Sequence, residues 1–406
     1  MMPGQKPLFR HTPPTAVMVT GSDLWHGLTA SVNQDHALEK FRAALIEKTG
    51  NPNCFLVSSG RAALALILES LKHLSRRTKV GIPAYVCPTV VQSVLKAGLE
   101  PVCCDVDPQT LNLDPVALSR FIDEDLLAVV PAHLYGWAQD LRDIVSLGQQ
   151  YDFFVIEDAA QAYGAKFCGR MVGNLANAGF YSLGRGKCIP VGHGGIIVSD
   201  DKCANVISGV IQNSAIKPPK LDLTTLMLYL GSGIATHPSG WWFVARSHWN
   251  PADAGMDAET LPPISLHGLS GTQSGIGSSI LARQEQIQSV RRRNADRLVA
   301  LLAGFEFIQI PAIAPDSAPV FLRFPFVVQD EQRANRLFED LSRSGIGVSR
   351  SYWRTIPELF PGLFPSNGKD FPGASRLARC LLTIPTHAYL NDHDFDRILG
   401  VLRNFR

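Results

Sequence analysis

The stretch of sequence that decides the fold is residues 155–164, Val-Ile-Glu-Asp-Ala-Ala-Gln-Ala-Tyr-Gly. An apolar run of strand length ends here in two acids, and small residues follow. In a mostly parallel sheet, ligands bind beyond the carboxyl ends of the strands, and small residues let the backbone approach them closely. Asp158 is therefore a candidate ligand-binding carboxylate, with capping of the next turn as the ordinary alternative.

A lysine in a glycine-rich segment follows the next predicted strand. The segment runs from Phe180 to Lys187, and Gly194 stands seven positions after the lysine. Three interpretations are open: a Walker-type phosphate ligand, a Schiff-base lysine or a surface residue. The Walker pattern fails because no GxxxxGK[ST] string is present. A Schiff-base lysine needs partial burial or a nearby positive charge, which the apolar flanks and Arg185 provide.

Together, Asp158 and Lys187 indicate pyridoxal 5'-phosphate (PLP) as the cofactor. A carboxylate beside the pyridine nitrogen keeps that nitrogen protonated, so that the ring can act as an electron sink. A lysine amine holds this cofactor as a Schiff base. We therefore expect Asp158 and Lys187 to be the catalytic residues, and Ser182 to offer its hydroxyl to the cofactor phosphate.

Two further strand ends carry candidate ligands. Residues 58–61, Ser-Ser-Gly-Arg, open a strong helix whose N–H groups and dipole suit a phosphate, although a plain serine cap is the ordinary alternative. After another strand, Tyr85 or Cys87 is expected to pack on the cofactor ring, and the local pattern does not choose between them. His133 is interpreted as a hydrogen-bonded structural residue.

Short apolar runs alternate with helical spacing on both sides of these motifs, from about residue 55 to 200. Such alternation favours an α/β fold with a mostly parallel central sheet and helices on both faces. A large domain is expected over 1–290 and a smaller C-terminal α/β domain over 291–406. The sequence predicts helices at 62–71, 89–97, 141–151, 284–302, 332–344 and 392–405, and strands at 80–83, 101–106, 127–131, 153–156, 321–328 and, after a turn, 345–348.

Residues 205–275 break this rhythm as an apolar insert. The runs 226–230 and 241–243 are rich in large apolar side chains but far shorter than the ~20 residues that span a bilayer. The default interpretation is a contact with a second subunit or a core helix. A peripheral membrane or partner contact through 221–249 is the alternative.

Composition argues against several other classes of protein. The 406 residues carry 38 basic and 36 acidic side chains, so no nucleic-acid partner is indicated. The run Arg291-Arg-Arg293 is interpreted as a solvated helix face. Eight cysteines without CxxC spacing predict a reduced, cytoplasmic protein that has no disulfide framework and no metal site. The N-terminus lacks the features of a signal peptide.

In this order, the motifs resemble the DegT–DnrJ–StrS family of PLP-dependent aminotransferases, which act mostly on keto-sugars attached to nucleotides. The resemblance runs from about residue 50 to 405 and is thin only in 205–275. It rests on the stretches 59–64, 83–87, 105–114, 133–136, 156–164 and 182–195, with support from 344–347, 371–378 and 384–387.

The resemblance implies a PLP-dependent transferase fold of type I and a homodimer with a shared active site. By matching positions, Lys187 would hold the cofactor and act as the general base, and Asp158 would pair with the pyridine nitrogen. Gln161 would lie near the phenolic oxygen of the cofactor. Ser182 and the backbone of Gly60–Arg61 would hold its phosphate.

Several positions depart from the family pattern. Cys87 stands where the family has an aromatic ring stacker, so Tyr85 is the alternative. Arg61 replaces a threonine, and His193 replaces a glutamate before the glycine pair. The asparagine loop that reaches the partner subunit is not recognisable before Gln273. These departures leave the cofactor chemistry in place and bear on the sugar-nucleotide substrate.

The sequence therefore predicts an aminotransferase. It would move an amino group from an amino acid, expected to be glutamate, to a keto-sugar or related ketone in polysaccharide or nucleotide-sugar biosynthesis. Two alternatives stay open. One is a dehydratase, although members with that chemistry lose the lysine that is present here. The other is a non-catalytic binding or regulatory protein.

Overall fold

The computed structural model describes residues 9–213, 222–246, 261–364 and 370–405. The strands are β1 (Cys54–Val57), β2 (Lys79–Pro83), β3 (Glu100–Cys104), β4 (Leu126–Val129), β5 (Phe154–Asp158), β6 (Lys166–Phe167), β7 (Arg170–Met171), β8 (Ala178–Ser182), β9 (Gly195–Ser199), β10 (Ile308–Gln309), β11 (Ser317–Ala318), β12 (Arg323–Val328) and β13 (Leu381–Pro385). The helices are α1 (Gly21–Ala30), α2 (Gln34–Thr49), α3 (Gly60–Leu71), α4 (Thr89–Lys96), α5 (Pro115–Ser119), α6 (Arg142–Tyr151), α7 (Asp201–Asn213), α8 (Leu223–Ala235), α9 (Pro238–Val244), α10 (Gly271–Ala282), α11 (Gln284–Leu302), α12 (Glu331–Arg343), α13 (Ile356–Leu359), α14 (Pro372–Cys380) and α15 (Asp392–Asn404).

A seven-stranded sheet in the order β1-β9-β8-β5-β4-β2-β3 forms the centre of the molecule. The strands from β8 to β3 in this order are parallel, and β9 runs against its neighbours β8 and β1. The predicted mostly parallel sheet is confirmed. Because strands of one direction end at one edge, the residues that follow β1, β2, β4, β5 and β8 meet there.

Helices cover both faces of this sheet, as predicted. On β8 and β9, Phe180 and Ile197 belong to one hydrophobic cluster, which α3, α4 and α7 complete. Tyr181 and Ile196 belong to another, which α2 and α10 complete. Successive side chains alternate across a strand, so the two clusters lie on opposite faces of the sheet.

A smaller antiparallel sheet of β10, β12 and β13 forms the core of the C-terminal part. Leu298 of α11, Leu337 of α12 and Ile398 of α15 are fully buried against it. The predicted smaller α/β unit is therefore present. The domain boundary proposed at residue 290 falls inside α11, which continues without a break to Leu302. The division into two domains at this residue stays a prediction.

The strand predicted at 345–348 is not formed, and a single bridge joins Ser349 to Thr383. The N-terminal segment occupies this backbone instead. The N–H of Thr12 donates to the carbonyl of Gly345 at 2.9 Å, and its hydroxyl accepts from the N–H of Gly347 at 3.0 Å. A side chain at Gly347 would clash with the Thr12 carbonyl oxygen, so the close approach requires glycine.

The solvated face predicted for residues 291–293 is wrong at Arg291, which is 7% exposed. This residue belongs to the inward stripe of α11, whose members recur every three or four positions. The buried members of that stripe are Gln284, Gln288, Arg291, Asn294, Ala295, Leu298 and Leu302. Four of these seven residues are polar, so the sequence does not reveal that this face of the helix is buried.

The insert at 205–275 is helical over much of its described length, and residues 214–221 and 247–260 lie outside the described residues. Helices α1 and α8 are in contact and expose large apolar side chains, which we call the α1–α8 surface: Trp25, Leu28, Met227, Leu228 and Ile234. Within the described ranges, no helix has the length and apolar character needed to cross a membrane.

Close packing of α1 on α10 generates the first prediction. A Cβ at Gly275 would clash with the carbonyl oxygen of His26 and lie 2.6 Å from the Ala30 Cβ. Because backbone atoms cannot yield as a side chain does, Gly275→Ala should destabilise the protein by about 1–3 kcal/mol. Urea denaturation at fixed protein concentration measures the change.

The matched control for this prediction is Gly209→Ala on α7, where a Cβ meets nothing within 4 Å. Removal of a helical glycine should there stabilise the protein by about 0.5–1 kcal/mol. Equal effects of the two substitutions on the denaturation midpoint would contradict the packing described for α1 and α10.

Candidate active site

The candidate residues meet because their strands are neighbours in the sheet. β5 ends at Asp158, whose partner in the register is Phe180 of β8, and β8 ends two residues later at Ser182. A parallel bridge between Ser59 and Gly194 brings the start of α3 to the same edge. The structure thus gathers residues that are more than a hundred positions apart in the sequence.

A compact polar cradle lies where α3 begins. A Cβ placed on Gly60 would lie 3.1 Å from the Ser182 Cβ and 3.5 Å from its Oγ, so the two residues are in direct contact. The Ser59 side chain caps α3 by accepting from the N–H of Ala62 at 3.1 Å. A helix N-terminus beside a hydroxyl is a favourable site for a phosphate. Both roles predicted from the sequence, the serine cap and the open N–H groups, are therefore compatible.

Asp158 is a buried carboxylate with little compensation from the protein. It is 8% exposed and, within the described ranges, its side chain accepts one hydrogen bond, from the N–H of Ala160 at 3.0 Å. Burial raises the pKa of this carboxyl, against the opposing effects of the Ala160 hydrogen bond, the Lys187 charge and His133. A cationic group bound beside it would remove that penalty.

Lys187 lies in the loop after β8, partly buried, with its N–H bonded to the carbonyl of Gly184 at 3.2 Å. Its charge lowers the pKa of both Asp158 and Cys188, although burial outweighs it at both groups. β8 also pairs with β5, which ends at Asp158, so the loop that carries Lys187 begins beside this carboxylate. The pair singled out in the sequence therefore shares one region of the structure.

His133 is a structural residue, as interpreted from the sequence. Its Nδ1 accepts from the N–H of Gln139 at 3.0 Å, so Nε2 carries the proton and donates to Glu157 at 3.0 Å. Glu157 is fully buried and also accepts from the N–H groups of Gly173 and Ala176, at 2.6 and 2.9 Å. These bonds fix the chain between β5 and β8.

The two candidates for the ring-stacking role differ in exposure. Tyr85 is 1% exposed, and its hydroxyl lies 3.0 Å from that of Tyr135. Its ring is therefore part of the hydrophobic core. Cys87 is partly exposed, with its Sγ 2.9 Å from the Thr89 hydroxyl.

Tyr352 is a site residue that the sequence did not reveal. Its hydroxyl accepts from Nε2 of Gln161 at 3.1 Å, while Oε1 of Gln161 accepts from the N–H of Tyr135 at 3.1 Å. Burial raises the pKa of Tyr352, and the nearby Cys87, Tyr135 and Asp158 act in the same direction. The only local signal is an aromatic pair in a polar stretch after the turn at Gly345.

The departures from the family pattern have defined partners in the structure. Arg61 donates from Nη1 to the carbonyl of Pro262 at 2.8 Å, which holds the 262–265 segment against the start of α3. His193 is exposed, and the buried Gln273 amide donates to its carbonyl at 2.8 Å and lies 3.0 Å from its Nδ1. Both changes therefore bear on the rim of the site, close to the cradle.

Known proteins resemble this chain in sequence. A family model described as the DegT/DnrJ/EryC1/StrS aminotransferase family matches residues 29–233 and 267–403. An L-glutamine:2-deoxy-scyllo-inosose aminotransferase of Streptomyces lividus is 36% identical over 162 residues, which are 40% of this chain. The same-named protein of Streptomyces fradiae is 33% identical over 189 residues, 47% of this chain. The chain spans 38% and 44% of the lengths of these two relatives.

Solved structures share the whole fold. A sugar aminotransferase from Micromonospora echinospora superposes with a TM-score of 0.75 at 24% identity and covers 97% of this chain and 99% of its own. A Helicobacter pylori aminotransferase involved in the biosynthesis of pseudoaminic acid gives 0.77 at 18% identity, with 98% and 99% covered. The predicted fold class is thereby confirmed.

The buried charge of Asp158 generates the second prediction. Since its folded pKa lies above the unfolded value, the folded state binds more protons, and stability falls as pH rises through that interval. Asp158→Asn removes the ionisable group and therefore this loss of stability at high pH. The cofactor-free variant should have a higher Tm than the cofactor-free wild type at pH 8, and the difference should shrink as pH falls towards 4.

Asp140→Asn is the control, because the pKa of the Asp140 carboxyl is shifted in the direction opposite to that of Asp158. The Arg142 side chain lowers the pKa of Asp140, so this carboxylate stabilises the fold above its unfolded pKa. Its replacement should leave the Tm at pH 8 unchanged or lower. A cofactor-free Asp158→Asn variant that is less stable than wild type at pH 8 would show that this carboxylate is not an uncompensated charge.

Proposed function

The chain belongs to the DegT/DnrJ/EryC1/StrS aminotransferase family, and from that premise we propose that it is a PLP-dependent aminotransferase. It would move an amino group from an amino acid to a ketone on a sugar or a related polyhydroxylated ring. One observation carries the proposal: β5 and β8 are parallel neighbours, so Asp158 at the end of β5 and the Lys187 loop after β8 belong to the same edge of the sheet.

The residues present fit the cofactor. When bound, PLP would supply an electron sink that stabilises negative charge on the carbon that bears the amine. Asp158 would face its pyridine nitrogen, since a buried carboxylate with a raised pKa gains most from a protonated partner. Gly60 and Ser182 would hold its phosphate, because the missing side chain at Gly60 leaves α3 open against the serine hydroxyl.

Lys187 would both carry the cofactor and move protons. Its Nζ is the one candidate base that the sequence places in the glycine-rich loop, and the loop turn from Gly184 holds its backbone. As a free amine, Lys187 would accept a proton, and as an ammonium it would donate one. A lysine that alternates between these states can take a proton from one carbon and return it to another.

Cys87 and Gln161 would complete the cofactor site. Cys87 is partly exposed whereas Tyr85 is enclosed, which favours Cys87 as the residue that contacts the ring. Gln161 is oriented by its two hydrogen bonds, to Tyr135 and Tyr352, and so can present its amide at a fixed position. The Arg61 side chain is held by Pro262, which leaves its backbone N–H for the phosphate.

The substrates are proposed by class. Glutamate is the donor expected from the sequence, and the names of the two Streptomyces relatives add L-glutamine as a donor to test. Those names also specify a keto-inosose acceptor, so a keto group on a polyhydroxylated ring is the proposed acceptor class. We place the reaction in the cytoplasm, because all eight cysteines are free.

We further propose a homodimer with a shared active site, in which the α1–α8 surface covers its counterpart. Trp25, Met227, Leu228 and Ile234 are each more than 60% exposed. Large apolar side chains so clustered on a soluble chain are typical of an interface. A peripheral membrane contact through 221–249 is the competing use of the same surface.

Lys187→Ala tests the activity. Purified wild-type protein loaded with PLP should change its visible absorbance when L-glutamate or L-glutamine is added, and should aminate 2-deoxy-scyllo-inosose or a nucleotide-linked keto-sugar. Loss of the base should lower the rate by about 10²–10⁴-fold or more. Lys166→Ala, at an exposed position, serves as the control and should behave as wild type.

Three results would overturn this function. One is a wild-type protein that binds PLP but responds to neither donor. The second is a Lys187→Ala variant with the wild-type rate. The third is release of a water-elimination product in place of an amine, which would indicate a dehydratase.

The dimer generates the fourth prediction. Met227→Lys should convert a dimer into a monomer in size-exclusion chromatography with light scattering, because a charge would be buried at the apolar centre. Val116→Lys, at a residue 63% exposed on α5, should leave the dimer intact. A wild-type monomer that sediments with anionic vesicles would favour the membrane alternative instead.

A further inference from the structure

A separate cavity of about 290 Å³ lies beside the Lys187 loop. The cavity is lined by the segment 16–20, the first half of α11 and residues 387–388, together with Cys188 and Pro190. Asp158, Ser182 and Lys187 are not among its lining residues. It is therefore distinct from the proposed cofactor site, although Cys188 directly follows Lys187 in the chain.

The cavity contains a buried guanidinium without a counter-ion. Arg291 is 7% exposed, and none of the ion pairs found among the described residues involves it. Its Nη1 lies 3.9 Å from the Cys188 Sγ, and its Nε has no hydrogen-bond partner in the described part of the chain. A buried charge in this state is costly, and a bound anion would compensate it.

The other charged and titratable groups on the cavity wall are already neutral or paired. Arg283 forms an ion pair with the buried Asp23. Burial lowers the pKa of His387 to about 4, so its ring is uncharged at neutral pH, and its Nε2–H donates to the carbonyl of Pro13. Among the described residues that line the cavity, the unpaired charge is thus that of Arg291, which matches a single negative charge.

The rest of the wall is mainly apolar and includes Met18, Ile280, Ile287 and Val290. The volume of about 290 Å³ suits a small molecule. Such a volume is at the lower end of the range for small-molecule sites. The shape and charge together describe a short hydrocarbon body with one anionic head.

We propose that this cavity is a binding site for a small monocarboxylate with an apolar body, whose carboxylate pairs with Arg291. An occupant would contact Cys188 and Pro190 and so would lie against the segment that carries Lys187. This second site goes beyond the transamination proposed above. A planar guanidinium suits a carboxylate because it can donate two parallel hydrogen bonds.

Octanoate, with ten non-hydrogen atoms, is the probe, and octanamide is its uncharged match. Isothermal titration of the PLP-loaded protein should show saturable octanoate binding and at least tenfold weaker octanamide binding. Arg291→Met should weaken octanoate at least tenfold. Arg292→Met, which removes the neighbouring, partly exposed charge, should leave octanoate binding unchanged.

A second variant tests the cavity without altering Arg291, in case the Arg291→Met protein misfolds. Val290→Trp keeps Arg291 and fills the cavity, so it should also abolish octanoate binding while the protein retains a cooperative thermal transition. Lys187→Ala should bind octanoate as wild type does, which separates this site from the catalytic one. Absence of octanoate binding, equal affinity for octanamide, or unchanged affinity in both Arg291→Met and Val290→Trp would each overturn the proposal.

Discussion

The buried carboxylate of Glu157 is the interaction on which the arrangement of the site depends. It sits one residue before Asp158 on β5 and points to the opposite side, where it binds the chain that leads into β8. The imidazole of His133 completes its shell. Loss of the His133 imidazole would remove one of the donors to this buried carboxylate, at a cost of about 1–3 kcal/mol. This link fixes the chain just before β8, the strand that pairs with β5 and leads to the loop of Lys187.

Glu157 and Asp158 illustrate how neighbouring carboxylates acquire different roles. Both are buried, but Glu157 is surrounded by donors, whereas Asp158 accepts one backbone hydrogen bond and has a raised pKa. The first stabilises the fold. The second has a raised pKa because its burial is not offset by comparable hydrogen bonding, a combination that is more frequent at functional sites than elsewhere.

Local patterns predicted much of this molecule. The helix at 284–302, the strand that ends in Asp158 and the capped start of α3 all depend on residues close together in the sequence. The missing strand at 345–348 depends on Thr12, which is 335 residues from Gly347, and the contribution of Tyr352 depends on Gln161, which is 191 residues away. No periodicity within a short window encodes such contacts. The local sequence also does not decide whether Tyr85 or Cys87 packs on the cofactor ring, because the exposure of Tyr85 depends on Tyr135 and the rest of the core.

Helix α11 shows why the run of charged residues led to the wrong prediction that Arg291 is exposed. Its inward stripe changes character along its length: the first half is polar, and the second half ends in Leu298 and Leu302 within the C-terminal core. The polar half can be buried because it binds backbone, as Gln288 does at Tyr163 and Asn294 at Thr386. One helix thereby joins the large sheet to the small one. Arg291 lies between Gln288 and Asn294 without an equivalent backbone partner among the described residues, and a ligand bound to it would contact both parts of the molecule at once.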